Sequence, residues 1–274
     1  MSPKALMIPK RRWLELTWQD FVGADTSRWI AVLPVAAVEQ HGPHLPLGVD
    51  CYIAEAYLAR VIEALPATVP ACFLPLQVIG KSDEHLAFPG TASLPAEAAV
   101  AAWTALGEAV QRAGLRKLVI VSSHGGNTPV VDIVARDLRA RLQMLVVCTA
   151  WARFGYPEGL FPEAELRHGI HAGDVETSIM LATRPDLVRK DLAETFTPAT
   201  VAMTQRFKWL RADRPAGFGW MAQDLNASGA IGDAAAASAE KGEAALAHGA
   251  AAFVELLADV HKFDADWLED GPLA

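Results

Sequence analysis

Cysteine is scarce in this chain of 274 residues, which has only three, at Cys51, Cys72 and Cys148. Because their number is odd and their spacing is irregular, the sequence offers neither a disulfide framework nor a zinc ribbon. We therefore expect all three cysteines to be small buried side chains in a reducing compartment.

Clusters of positive charge are also missing, and the formal net charge is −8. Proteins that bind nucleic acid need basic patches against the phosphates, so we predict no nucleic-acid partner. No apolar run approaches the roughly 20 residues of a membrane-spanning helix. The N-terminal charges follow a very short apolar piece, which is the reverse of the order in a secretory signal. These absences favour a soluble, cytoplasmic protein with no membrane partner.

The sequence does contain apolar, β-rich runs that alternate with segments of helical periodicity. Strands are predicted at 29–35, 73–78, 117–122 and 144–149, and helices at 50–65, 95–113, 128–142, 173–182 and 233–260. Such alternation predicts an α/β fold with a mostly parallel sheet flanked by helices. Since neither a repeat nor a long linker divides the chain, we expect a single domain over residues 1–274.

Polar residues concentrate directly after three of the predicted strands, at 39–50, 82–85 and 124–127. Ligands of parallel α/β proteins bind beyond the carboxyl ends of the strands. We therefore expect these three segments to converge at one edge of the sheet and to form a site there.

The first of these segments reads EQHGPHLPLGVD and contains Glu39, His41 and Asp50. Glu39 and His41 could bind the same ion or two ions on either side of a shared ligand, and Asp50 could bridge two cations. Imidazole and carboxylate ligands together suit Zn²⁺, Mn²⁺ or Fe²⁺. A Glu-x-His pair alone is weak evidence, because such pairs are common on surfaces.

Two later segments add further candidates. His124 ends a predicted buried strand and stands beside two glycines, where the backbone can approach a ligand closely. His171 and Glu176 flank the start of a predicted helix. Glu176 leads into an apolar run, so its carboxylate needs a partner, which could be a cation or an arginine in a structural ion pair.

Taken in order, these motifs resemble the creatininase (creatinine amidohydrolase) family. The matching segments cover most of the chain: EQHGPHLPL with Asp50, GKSDEHLAFPGT at 80–91, SHGGN at 123–127, HAGDVETS at 171–178 and GAIGD at 229–233. The resemblance implies a three-layer α/β sandwich with two divalent metal ions at the strand ends. It also implies a homo-oligomer, often a hexamer.

The resemblance assigns roles to individual residues. It implies that Glu39 and His124 hold one metal, that His41 holds the second, and that Asp50 bridges them. His171 falls where creatininase has a histidine thought to shuttle protons.

One position departs from creatininase, which has a metal-binding glutamate two residues after the strand-end histidine. This chain has Gly126 there. We expect Glu176 to supply the missing ligand. The same departure weakens the expectation that creatinine itself is the substrate.

These observations lead to the hypothesis of a metal-dependent amidohydrolase acting on a small cyclic or formyl amide. Hydroxide held between the two ions would attack the carbonyl carbon, and His171 would give a proton to the leaving nitrogen. The predicted substrate contacts are Ser82, His85, Gly125 and Trp151. His85 could instead brace the turn that follows it, and Trp151 could instead be a core residue.

Two alternatives remain open. Relatives of creatininase include a pyrimidine deformylase, a peptidase of mycofactocin maturation and a hydrolase of cyclic ketones, so the same two-metal site could cleave a peptide bond or a C–C bond. The chain could also bind metal without turnover. The sequence does not choose the substrate, the metal or the size of the oligomer.

Overall fold

The computed structural model describes residues 8–264 and 267–269. Its central sheet has four parallel strands in the order β2-β1-β3-β4: β1 (Ile30–Val35), β2 (Ala71–Phe73), β3 (Lys117–Ser122) and β4 (Leu145–Ala150). Every residue of β1 and β3 is buried, as expected for strands covered on both faces. The predicted α/β fold is confirmed.

Helices cover both faces of the sheet. One layer contains α1 (Val49–Ala64), α5 (Asp174–Thr183) and α8 (Ala239–Lys262), and the other contains α2 (Ala96–Arg112) and α3 (Thr128–Leu142). Successive residues of a strand point to opposite faces. Ile30 and Val32 accordingly join the core under the first layer, whereas Ala31 and Leu33 join the core under the second.

Smaller elements complete the chain between α3 and α8. They are α4 (Glu163–His168), α6 (Ala199–Arg206), α7 (Ala222–Leu225) and an antiparallel pair formed by β5 (Thr195–Phe196) and β6 (Gly232–Asp233). Within the described ranges, none of the helices combines the length and the apolar character that crossing a membrane requires.

Two predicted boundaries are wrong. The second strand was expected at 73–78, but β2 ends at Phe73 and the chain regains one bridge to Val35 at Gln77. Pro75 lies between them, and proline has no N–H group with which to continue a ladder. The last helix was expected from residue 233 but begins at Ala239, where the Ser238 side chain accepts a hydrogen bond from the Lys241 amide at 3.3 Å.

Candidate metal centre

The carboxyl edge of the sheet collects all five residues that the sequence offers as metal ligands. Glu39 and His41 lie in the loop after β1, Asp50 in the first turn of α1, His124 directly beyond β3, and Glu176 in the first turn of α5. Four of them are buried, with at most 5% exposure, and Glu176 is partly exposed. Parallel strands and the helices that follow them bring these segments together, as the sequence predicts.

The five side chains form two overlapping groups. Glu39, Asp50 and His124 make up one group, and His41, Asp50 and Glu176 make up the other. In each group the candidate ligand atoms lie within 4.8 Å of one another. Asp50 is common to these two groups, and a third group joins Glu39, His41 and His171.

Contacts within the first group and around it fix the orientation of its side chains. His124 Nδ1 lies 3.1 Å from Glu39 Oε2 and 3.7 Å from Asp50 Oδ2. On the far side of the ring, His124 Nε2 donates to the Lys81 carbonyl at 2.9 Å. Ser82 Oγ donates to Glu39 Oε2 at 2.5 Å. These contacts aim the nitrogen and the carboxylates at a common point, as outer contacts do around bound metals.

The second group is held in a similar way. His41 Nδ1 donates to the Glu39 carbonyl at 3.0 Å, so Nε2 keeps its lone pair and faces Glu176 Oε2 at 3.8 Å and Asp50 Oδ1 at 3.9 Å. The Ala172 amide donates to Glu176 Oε2 at 2.5 Å. Ala172 adopts a left-handed conformation with φ of 54°, which is unusual for a non-glycine residue. Among the described residues, no arginine pairs with Glu176, so the structural ion pair left open by the sequence is not seen.

Several buried polar atoms of the cluster have no hydrogen-bond partner among the described residues. They are Glu39 Oε1, His41 Nε2 and Asp50 Oδ2. Burial, reinforced by the nearby Glu39 carboxylate, raises the pKa of Asp50 well above its ordinary value. Burial also raises the pKa of Glu176. Buried polar atoms without partners are costly, and divalent cations would satisfy all of them at once. The residues present therefore fit two ions.

The resemblance to creatininase implies a glutamate at the position of Gly126, but the surroundings of Gly126 leave no room for a larger side chain. A Cβ atom built on Gly126 would lie 2.4 Å from both Glu84 Oε1 and His124 Nε2. The Glu84 carboxylate thus fills this space and approaches His124 Nε2 to 3.4 Å. Sequence reasoning missed Glu84, although its place between Ser82 and His85 in a strand-end loop was a usable signal.

Two further histidines meet the cluster beside Glu39. His171 Nε2 donates to the Gln40 carbonyl at 2.6 Å, and His171 Nδ1 lies 3.7 Å from Glu39 Oε1. His85 Nε2 lies 3.4 Å from the same oxygen, and its Nδ1 contacts Gln40 Nε2 at 2.7 Å. Gln40 was also missed from the sequence, and it orients both rings.

A cavity of about 250 Å³ opens beside this cluster. His85 and Gly125, both predicted to contact substrate, line it, and Trp220 adds an aromatic wall. Ser82 is buried beneath Glu39, and its hydroxyl is engaged by that carboxylate.

Trp151 lies outside the lining of this cavity. It is buried and stacks on Tyr57 with ring centroids 4.5 Å apart and an interplanar angle of 8°. Phe253 packs against its other side, at 4.8 Å between centroids. These contacts match the core position that the sequence left open as the alternative.

Comparisons with known proteins agree with this architecture. The family model described as Creatininase, creatinine amidohydrolase, matches residues 14–257. Creatinine amidohydrolase of Pseudomonas putida is 33% identical over 245 residues, which are 85% of this chain and 90% of the relative. Mycofactocin precursor peptide peptidase of Mycolicibacterium smegmatis is 31% identical over 231 residues, covering 81% and 84% of the two chains.

Solved structures of creatininases are also similar to this chain. The structure described as "Creatininase Mn" is 27% identical and superposes with a TM-score of 0.71, covering 91% of this chain and 98% of the other. A mutant creatininase of Zn-Zn type is 28% identical, with a TM-score of 0.72 and coverage of 92% and 98%. The chain therefore belongs to the creatininase family of hydrolases.

Proposed function

We propose that this chain is a divalent-metal-dependent amidohydrolase that cleaves the C–N bond of a small cyclic or formyl amide. The observation that carries the proposal is the place of Asp50 between two groups of ligand atoms. Each group combines imidazole with carboxylate, and each contains a buried atom without a partner. Glu39, Asp50 and His124 would hold one ion, and His41, Asp50 and Glu176 the other. Zn²⁺ and Mn²⁺ suit these donors, and so does Fe²⁺.

When bound, the two ions supply the acidity that makes hydroxide available at neutral pH and the positive charge that polarises a carbonyl group. The protein contributes the positions of the donors. Ser82 holds Glu39, and the Lys81 carbonyl holds the ring of His124. Such contacts around the ligands orient their donor atoms toward the ions.

His171 is the residue that we assign to proton transfer. In hydrolysis the C–N bond breaks, the carbonyl carbon gains the oxygen of water, and the leaving nitrogen must take up a proton. His171 Nε2 is occupied by the Gln40 carbonyl, so Nδ1 is the atom that can hold and deliver this proton beside Glu39 Oε1. His85 and Gly125 line the cavity and are proposed to contact the substrate.

A peptide bond is the second candidate for the bond that is cleaved. The chain is nearly as similar to a mycofactocin precursor peptide peptidase as to creatinine amidohydrolase, at 31% and 33% identity. At Gly126, where the resemblance to creatininase implies a glutamate, the adjacent space here holds the Glu84 carboxylate. A site that departs from creatininase at this point is not expected to be specific for creatinine.

The experiment is metal analysis followed by an activity panel. Purified protein should contain about two divalent ions per chain, and a chelator should remove both the ions and the activity. Amides, lactams, formamides and short peptides would then be tested with Mn²⁺ or Zn²⁺ restored. A His261→Ala variant, altered at a histidine at the opposite end of the sheet, serves as the control for the general effect of losing an imidazole. Full activity in chelator-treated, metal-free protein would contradict the proposal.

A further inference from the structure

A second cavity adjoins the candidate metal centre. Its volume is about 510 Å³, about twice that of the cavity beside the ligands, and the two cavities share Ile170, His171 and Glu176 as lining residues. We call the smaller one the metal chamber and the larger one the outer chamber. Apart from the shared residues, the outer chamber lies between Ala152–Tyr156 after β4, the end of α4 and the first turn of α5.

Among the described residues that line the outer chamber, neither of the two carboxylates is free to pair with a ligand. Glu165 lines it, but its two carboxylate oxygens accept the amides of Asp174 at 2.8 Å and Asp233 at 2.9 Å. Glu176 is turned toward His41 and belongs to the proposed metal site. A cation entering the chamber would therefore lose its water without gaining a free carboxylate, and an anion would meet the two carboxylates.

The rest of the wall is apolar or aromatic. Ala152, Leu166 and Val175 line the chamber together with Tyr156, whose ring is held edge-on against Phe161 at 5.0 Å between centroids. Leu166 is 53% exposed and Ile170 is 38% exposed, so large aliphatic surface is left open to solvent beside a reactive site. Cavities of roughly 300–1,000 Å³ with such walls are typical of sites for small organic groups.

We propose that the outer chamber binds a bulky, uncharged apolar substituent of the substrate. The substrate class is then an amide or peptide-like compound that carries an aliphatic or aromatic group next to the scissile C–N bond. His171 lies at the junction, within reach of both the reacting bond and this substituent. The inference rests on the proposed function, because the metal chamber must hold the carbonyl group for the outer chamber to receive its neighbour.

Hydroxamates test the chamber through binding affinity alone. They bind divalent ions through two oxygens, so the measurement does not depend on turnover. The affinities of acetohydroxamate and 3-phenylpropionohydroxamate for the metal-loaded protein would be compared by calorimetry. Each buried methylene strengthens binding roughly fourfold. The phenyl compound should therefore bind at least about tenfold more tightly, even if only part of it is buried.

Matched variants test whether the outer chamber causes the difference in affinity between the two hydroxamates. Ala152→Trp fills the outer chamber and should reduce the affinity ratio toward one, whereas Ala101→Trp, at an exposed position of α2, should leave the ratio unchanged. Leu166→Ser offers a second, smaller change in the chamber wall, should the tryptophan variant fail to fold. Equal affinities for the two hydroxamates, or a ratio insensitive to both chamber variants, would overturn the chamber assignment alone. Failure of both compounds to bind would overturn the proposed function together with it.

Discussion

Among the described residues, both ends of the sheet bury polar groups, but candidate metal ligands without partners cluster only at the carboxyl end. At the amino end, Lys117 begins β3 with 8% exposure. Its ammonium group donates to the carbonyls of Val260 at 2.8 Å, His261 at 3.1 Å and Phe263 at 2.8 Å. Three donors thus meet three acceptors at the end of α8, where helix carbonyls otherwise lack partners.

The carboxyl end presents the opposite case. Glu39, His41 and Asp50 each keep one buried atom without a hydrogen bond among the described residues. The amino end also contains buried atoms without partners, Trp29 Nε1 and His261 Nδ1, but these do not belong to a cluster of candidate ligands. At the carboxyl end the atoms without partners lie together, and such an incomplete buried cluster costs free energy of folding unless something binds to it. The two ends therefore differ in whether the unsatisfied carboxylate and imidazole atoms are grouped around a common point.

Asp50→Asn should have the largest effect on the function of the carboxyl end. Loss of the bridging carboxylate should empty both ion positions and lower activity by on the order of 10³ or more, because bound ions contribute several kcal/mol to such reactions. The same change should raise the Tm of the metal-free protein, since burial raises the pKa of Asp50 and thus opposes its ionised form at neutral pH. Metal content and thermal unfolding measure the two effects. Two tightly bound ions in the variant would refute the bridging role.

His171→Ala should lower turnover by roughly 10² to 10⁴-fold while both ions remain bound, because general acid catalysis contributes about this much. Steady-state kinetics and metal analysis on the same samples separate the proton-transfer role from a ligand role. His171 also belongs to a possible ligand group with Glu39 and His41. Loss of an ion from the variant would therefore reassign His171 as a ligand.

Glu176→Gln should weaken one ion selectively. The amide keeps the shape of the side chain but removes the charge that the second ion needs, so we expect its affinity to fall by about 100-fold, or about 2.7 kcal/mol. Competition with a chromophoric chelator would resolve two affinities and show which of them changes. Unaltered binding of both ions would mean that Glu176 has a structural role and does not replace the ligand missing at Gly126.

Much of the carboxyl end could be predicted from the sequence, and the reason is local. Glu39, His41 and Asp50 lie within a single segment after a strand, and His124 lies directly after another strand. The topology of a parallel sheet brings such segments together whatever the details of packing. The prediction therefore needed only strand ends and side-chain chemistry.

The remaining features depend on contacts between distant segments. Glu84 fills the space above Gly126, 42 residues later, and no local pattern records that fit. Trp151 follows β4 as expected, but stacking on Tyr57 and a tilted contact with Phe253 keep it in the core. The hydrogen bonds of Lys117 were missed entirely, since its partners are backbone carbonyls more than 140 residues away. The sequence does not show which backbone carbonyls will accept hydrogen bonds from a given side chain.

Lys117→Met should affect only the amino end. The variant keeps the aliphatic length but leaves the carbonyls at the end of α8 without their donors, at a cost of about 1–3 kcal/mol. Chemical denaturation should show this loss of stability, whereas metal content and activity should match those of the parent protein. A Lys10→Met variant, changed outside the sheet, controls for the loss of one positive charge. An effect of Lys117→Met on metal binding would mean that the two ends are coupled.

The smallest expected effect comes from relieving backbone strain, which among the described non-glycine residues occurs once near each end of the sheet. Gln143, before β4, and Ala172, beside Glu176, both have φ of 54°. Substitution by glycine relieves a left-handed conformation at either position, so each variant should change stability by no more than about 1 kcal/mol. Only Ala172 donates its amide to Glu176, at 2.5 Å. Ala172→Gly should therefore loosen that carboxylate and lower the affinity for the second ion severalfold, whereas Gln143→Gly should not. Equal ion affinities in both variants would show that Glu176 is held by its helix rather than by the strained turn before it.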